Sequence, residues 1–323
     1  MDNTNDLVFK FKEYLKVLNR SPATIKSYIE HLKGFLDSIP ETDMKKVTRS
    51  MIETYIAGLY DYRTKHGRPY SNGTICLKVR SIKRFFEFLE KTNIIFIDPA
   101  ETIKEPQIQR NLPKRILTGK EINKLLDQPN LGTLIGIRDR GIIEVFYSTG
   151  IRKEELCSLT IYDADLTGGM LRINKGKGKK DRVVPVGKHA VRFFKEYIVR
   201  VRPHFTKKNR KNRHLFVDRF GNPIRGQTIS AMVRKYAKAA KIKKPVSPHL
   251  FRHCFASTLI KNGADLLAVQ KMLGHACPGT TQIYIRSLGL DIKKAHEKTH
   301  PREKDKIDKK SIKPAIKRIR PKR

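Results

Sequence analysis

Between Ile97 and Arg115 the stretch "IDPAETIKEPQIQRNLPKR" carries three prolines and little apolar periodicity. A proline lacks a backbone N–H and clashes with the turn before it, so no regular helix runs through such a segment. On both sides of it, apolar residues return at helical spacing. The chain is therefore read as two helical cores joined by a linker around residues 104–115, an organisation that 323 residues can fill.

Before the linker, "SPATIKSYIEHLKGF" predicts a helix with Ser21 as N-cap, Pro22 in its first turn, and Ile25, Tyr28, Ile29, Leu32, Phe35 and Leu36 on one face. A second helix begins after Thr48 or Ser50. A third, "SNGTICLKVRSIKRFFEFLEKTNII", turns Ile75, Val79, Ile82, Phe85, Phe86 and Leu89 inward and Lys78, Arg80, Lys83 and Arg84 outward. Residues 1–103 thus read as a small helical bundle with a basic exterior.

After the linker, Thr118 and Glu121 in "LTGKEINKLL" have capping-box spacing, and "IGIRDRGIIEVFYSTG" reads as a buried helix closed by Gly150. At "GGMLRINKGKGKKDRVVPVG" the period changes. Leu171–Ile173 and Arg182–Val186 are β-prone runs around a Gly/Lys turn, which predicts a hairpin with a cationic tip. Helix then resumes to about residue 300, and residues 301–323 hold 11 Lys/Arg against 3 Asp/Glu, the composition of a disordered phosphate-contacting tail. The fold class is mainly α (α+β): a helical bundle followed by a mostly helical domain with a small antiparallel sheet.

The charge balance points to a polyanion. The chain has 69 Lys+Arg against 31 Asp+Glu, a formal +38 that no packing requirement explains. Nucleic acid comes first and an anionic membrane surface second. No apolar run reaches transmembrane length and "MDNTND" is unlike a signal peptide, so a soluble, cytoplasmic protein without a membrane partner is expected. Cys76, Cys157, Cys254 and Cys277 are scattered with no C-x-x-C pair, so neither a disulfide framework nor a cysteine-rich zinc module is suggested, and they read as small buried hydrophobes in a reducing compartment.

Reactive side chains crowd into Ser247–Ser287, "SPHLFRHCFASTLIKNGADLLAVQKMLGHACPGTTQIYIRS". Attack on a phosphodiester builds negative charge on the nonbridging oxygens, and a protein acting without metal supplies fixed cations and donors there. Arg252 lies three residues after His249 in "HLFRH", on one helical face. Arg152 follows the helix-ending "TG" in "TGIRKEEL", where Glu155 can brace it. A zinc site from His249, His253, Cys254, His275 and Cys277 is disfavoured because Arg252 sits in its middle and would repel a dication. His253 reads as a packing histidine, and no G-x-x-x-x-G-K-[ST] loop for a nucleotide is present.

The ordered set "TGIRKEEL", "KGKGKKDRVVPV", "SPHLFRH", "LGH" and "TTQIY" resembles the tyrosine recombinase, or phage integrase, superfamily, and most of all its Xer-like and integrase members. The resemblance extends through "SPATIKSYIEHLKGF" to a helical SAM-like core-binding domain, so that residues 1–103 would bind DNA and 116–300 would form the catalytic domain. It implies that Tyr284 is the nucleophile, Arg152 and Arg252 clamp the phosphate, and Lys177 is the general acid. His249 would move the tyrosine proton, His275 would donate to the phosphate, and Glu155 would support. Lys175, Lys179 and Lys180 compete with Lys177 within the same turn. Lys78, Arg80, Lys83, Arg84, Lys179 and Lys180 are expected DNA contacts.

The resemblance further implies site-specific cleavage and rejoining of double-stranded DNA at core sites, with no cofactor and no metal. The working unit would be a homotetramer on two DNA sites, residues 288–300 docking on a neighbouring protomer. A silent DNA-binding protein of the same fold is the first alternative, opposed by intact side chains in all five boxes. A type IB topoisomerase-like strand passage is the second, separated by its indifference to a second cognate site. Two positions depart from the common pattern: Phe251 stands where leucine is frequent, and "ACPG" at 276–279 replaces a run that usually ends in serine.

Overall fold

A computed structural model describes residues 4–40, 43–107, 116–174 and 181–274. It divides into two units, Met1–Arg110 and Asn111–Arg323. In the first, α1 (Thr4–Val17), α2 (Pro22–Leu36), α3 (Arg49–Asp61) and α4 (Asn72–Lys91) each begin where the local chemistry allows. The Ser21 side chain accepts from the Thr24 N–H at 3.1 Å, and Ser71 does the same for Thr74 at 3.1 Å, each satisfying an amide that the helix leaves unpaired. Thr48 caps α3.

All six apolar residues read as the inner face of α4 are buried. So are Cys76 and Phe88, which widen that face. Phe88 is covered by α1, a helix that the sequence reading leaves out: Phe11 sets its ring edge-on to Phe85 at 5.4 Å and tilted against Phe88 at 5.4 Å, while Cys76 lies against Glu105 at 3.4 Å. Ala100 and Ile103, beyond the first of the three prolines, are also buried in this core.

In the second unit, the Thr118–Glu121 capping box starts α5 (Gly119–Leu126). The central helix α6 (Leu134–Thr149) buries Ile142, Ile143, Val145 and Phe146, and ends at Gly150 in the left-handed conformation, φ 61°. Next come α7 (Lys153–Ser158) and a three-stranded antiparallel sheet in the order β1 (Ala164–Asp165), β2 (Met170–Ile173), β3 (Arg182–Pro185). The hairpin register sets Leu171 opposite Val184 and Ile173 opposite Arg182. Strand β1 is an addition to the two runs expected.

Helix α8 (Lys188–Glu196) passes through a π-helical turn, Tyr197–Val201, into α9 (Arg202–Phe205). The buried Tyr197 hydroxyl donates to the Leu215 carbonyl and accepts from the Val217 N–H, both at 3.1 Å. Then α10 (Gly226–Ala239), α11 (Pro248–Lys261) and α12 (Leu266–Leu273) complete the described residues. Phe255, Ala256 and Ile260 of α11 pack with Val269 and Leu273 of α12, which fixes α12 to the unit. Among the described residues no helix is long and apolar enough to cross a membrane.

Candidate active site

Gly150 creates the first element of the site. At φ 61° a glycine costs nothing sterically, and the space is closed: a Cβ there would lie 2.6 Å from Cδ1 of Phe255. The reversal after Gly150 buries Ile151 and makes Arg152 the N-cap of α7. Glu155, three residues on, folds back so that its Oε2 accepts from the Arg152 N–H at 2.8 Å while its Oε1 accepts from Arg152 Nη1 at 2.7 Å. The bracing read from "TGIRKEEL" is therefore present, through backbone and side chain together.

A third partner enters from the sheet. Arg182, the first residue of β3, donates Nη1 to Glu155 Oε1 at 3.0 Å and Nη2 to Oε2 at 2.7 Å. The Glu155 and Arg182 side chains are only 7% and 10% exposed. Burial alone would raise the Glu155 carboxyl; bonds from Arg182 and from the Arg152 backbone and side chain outweigh it and bring the carboxyl down to about 2. Glu155 is thus an anion held between two guanidiniums.

Helix α11 supplies the next part. Ser247 caps it and Pro248 opens it. Phe251 is buried and stacks on Phe146 of α6 with ring centroids 6.2 Å apart, so the larger residue is accommodated. One position further, Arg252 is 2% exposed. Its Nη1 donates to the Gly150 carbonyl at 2.9 Å and its Nη2 to the Leu273 carbonyl at 2.6 Å.

The end of α12 gathers these pieces. Its last carbonyls have no intrahelical partner and carry the negative end of the helix dipole. Three consecutive ones each receive an arginine: Met272 from Arg182 Nε at 2.8 Å, Leu273 from Arg252 and Gly274 from Arg152 Nη2 at 3.1 Å. Three guanidiniums from three separate elements thereby meet where the chain leaves α12. His249 lies beside them, its imidazole pushed below the usual range by burial and then by the positive charge of Arg252 and Arg152. The His249 and His253 rings meet edge-on at 4.8 Å, and burial followed by His249 and Arg252 takes His253 down to about 4.

The structure therefore brings Arg152, Glu155, His249 and Arg252 together. Lys177, Lys179, Lys180, His275 and Tyr284 lie outside the described residues. The cations of α4 are less free than an outward face implies. Arg80 pairs with Glu105, Arg84 with Glu87, and Lys83 donates to the Glu101 and Ile103 carbonyls at 2.7 Å each. Lys78 stands 5.2 Å from the Tyr70 ring centroid. Arg182 is the residue that the sequence reading misses: strand alternation sets it on the same face as buried Val184, and an arginine on the inward face of a short strand is the signal.

The sequence pattern of the Phage integrase family matches residues 115–289, and that of the Phage integrase N-terminal SAM-like domain matches residues 8–93. Tyrosine recombinase XerC 2 of Ralstonia nicotianae is 34% identical over 292 residues, covering 90% of this chain and 84% of the relative. Tyrosine recombinase XerD of Listeria monocytogenes is 33% identical over 299 residues, 92% of this chain and 99% of that protein. Among solved structures, XerH site-specific recombinase bound to palindromic difH substrate, a post-cleavage complex, superposes with a TM-score of 0.71 at 24% identity, over 92% of this chain and 85% of that one, a likeness of fold. The chain belongs to the phage integrase family. Within it the chain is Xer-like, a tyrosine-type site-specific recombinase.

Proposed function

We propose that this recombinase cuts and rejoins double-stranded DNA through Tyr284, with Arg152 and Arg252 holding the nonbridging oxygens of the scissile phosphate. The observation that carries the reading is the meeting of Arg152, Arg252 and Arg182 at the carbonyl end of α12, after which His275 is the next residue in sequence and Tyr284 comes nine residues later. Fixed cations at Arg152 and Arg252, held at the helix end that precedes the expected nucleophile in sequence, suit a transition state that gains negative charge on phosphate oxygens. Held by backbone carbonyls and one carboxylate, they need no reorganisation when that charge develops.

In this reading the Tyr284 oxygen attacks phosphorus, and its proton leaves with the help of His249, whose lowered proton affinity keeps the imidazole neutral and able to accept. The bond to the 5′-oxygen breaks. Lys177, or a neighbouring lysine of the same turn, protonates the departing oxygen, and His275 donates to the phosphate. The product is a 3′-phosphotyrosyl ester with a free 5′-hydroxyl. The ester keeps the bond energy, so a 5′-hydroxyl from a second strand reverses the step, and the chemistry calls for neither a metal nor a nucleotide cofactor. Glu155 supports by holding Arg152.

Residues 1–103 form the core-binding domain, 104–115 the linker, 116–300 the catalytic domain and 301–323 a phosphate-contacting tail. Lys179 and Lys180 contact DNA from the hairpin tip. Lys78, Arg80, Lys83 and Arg84 add positive field more than free phosphate hooks, given the bonds they already make. The working unit is a homotetramer on two core sites in the cytoplasm, with residues 288–300 docked on a neighbouring protomer.

The test is covalent capture. Wild-type protein and Tyr284→Phe are incubated with duplex DNA from the flanks of the gene, with and without EDTA, and quenched in detergent. An adduct that survives EDTA and disappears in Tyr284→Phe is expected. An adduct retained in Tyr284→Phe refutes the nucleophile.

A further inference from the structure

We infer that Arg182 is a positioning residue for strand cleavage: it ties Glu155 to the Met272 carbonyl, and so fixes the Arg152 guanidinium and the exit of α12 in one geometry. The inference rests on the proposed function and adds to it a residue that touches no DNA. Its three bonds run to two separate elements, α7 and α12, at 2.7, 3.0 and 2.8 Å. A planar guanidinium can serve three acceptors in fixed directions, whereas a lysine at the same point is a single flexible charge. Packing supports the fit. A Cβ on Gly274, which is itself in the left-handed conformation at φ 61°, would meet Cδ and Nη1 of Arg182 at 3.0 Å each.

Stability is a poor reason for such a group. Two buried charges lose hydration that their attraction only partly restores, and hydrophobic replacements of equal volume are frequently as stable or more so. An arginine held here therefore points to geometry. Arg182 also opens β3, which pairs with β2, and Lys177 lies in the sequence between those two strands. One side chain thus links the strand after the expected general acid, the carboxylate that orients a phosphate-binding arginine and the helix end before the expected nucleophile.

The experiment uses the full chain and a nicked duplex from the flanks of the gene, at saturating DNA. Arg182→Met keeps the aliphatic stem and removes the fork; Arg182→Lys keeps the charge. DNA affinity by gel shift should stay within about threefold of wild type, while the rate of adduct formation falls about 100-fold in Arg182→Met and about 10-fold in Arg182→Lys, the scale expected when reacting groups are misplaced by about 1 Å. Because Arg182 acts through Arg152, losses in the pair Arg152→Lys and Arg182→Met should fall well short of multiplying.

Adduct formation within about threefold of wild type in both Arg182 variants, or losses that multiply, would overturn the inference. Should Arg182→Met lose its helical ellipticity, Arg182→Lys decides alone: a folded lysine variant at the wild-type rate overturns it, a slowed one with unchanged affinity supports it. Tyr284→Phe runs alongside. An adduct that persists there defeats the proposed function itself, whereas one lost there but unchanged in the Arg182 variants defeats only this inference.

Discussion

Replacing Glu155 with Gln removes one charge and hardly any volume from a position that is 7% exposed and accepts four N–H bonds. The size of the effect can be worked in two ways. A carboxyl held from 4.5 down to about 2 in the folded chain contributes about 3 kcal/mol at neutral pH, at about 1.4 kcal/mol for each pH unit between unfolded and folded values. Independently, taking one partner from a buried pair costs about 3–5 kcal/mol, because Arg182 is left charged and unpaired.

The pH dependence has a definite sign. Since the folded value lies below the unfolded one, the stabilisation is fully present above about 4.5 and is lost as pH falls toward 2. The difference between wild type and Glu155→Gln should be flat from neutral pH to about 5.5 and shrink below that. The chain has no tryptophan, so urea unfolding is followed by far-UV ellipticity, with hydrogen exchange in peptides spanning α7 and β3 to isolate the second unit. A loss under about 1 kcal/mol at pH 7, or a gap that widens on acidification, refutes the reasoning.

Gly150→Ala should lower stability by about 2–4 kcal/mol, combining a left-handed non-glycine residue with a methyl driven into the Phe255 ring; a melting temperature equal to wild type would show that α11 yields there. His253 is held down to about 4, against an ordinary 6.5, by burial and then by His249 and Arg252. Below pH 6.5 the unfolded chain takes up a proton that the folded one refuses, so this histidine weakens the fold as pH falls toward 4. His253→Gln should therefore flatten the acid side of the stability profile, and an unchanged slope between pH 6.5 and 4.5 would count against it.

The legible part of the sequence was written in local chemistry. Ser21 with Pro22, Thr118 with Glu121 and Gly150 after "YST" mark helix ends through backbone groups that any helix must satisfy, and the structure places those ends there. His249 and Arg252 share a face because three residues make most of a turn. Helix α1 was equally readable, since Leu7, Phe11 and Leu15 recur every four residues. The two-residue β1 is too short to show a strand period, although its partner Leu171 is near in sequence, and the π-helical turn at Tyr197 has no local signature, its hydroxyl bonding the Leu215 carbonyl 18 residues on. Arg182 belongs to this second kind. Its partners are 27 and 90 residues distant, and one chain shows only an arginine beginning a strand.

The internal bonds of the cations also bear on how +38 can be carried by a folded chain. With 31 carboxylates for 69 Lys and Arg, most cations cannot find an anion, and many find carbonyls. Arg252 takes those of Gly150 and Leu273, Arg202 those of Asn212 and His214, and Lys83 those of Glu101 and Ile103. A carboxylate partner cancels the charge it fixes, whereas a carbonyl dipole fixes the side chain and leaves its charge intact. At the end of α12 both kinds of partner occur, one carboxylate among three guanidiniums, so the group stays net positive while each member is held. The carbonyl bonds leave the charge of Arg252 intact, and one Glu155 shared by Arg152 and Arg182 neutralises only part of theirs, so the ordered group keeps positive charge for an anion. Adding a second carboxylate near Arg252 would keep the order and lose the field, which is why neutral acceptors at Gly150 and Leu273 suit a site for phosphate better than another glutamate would.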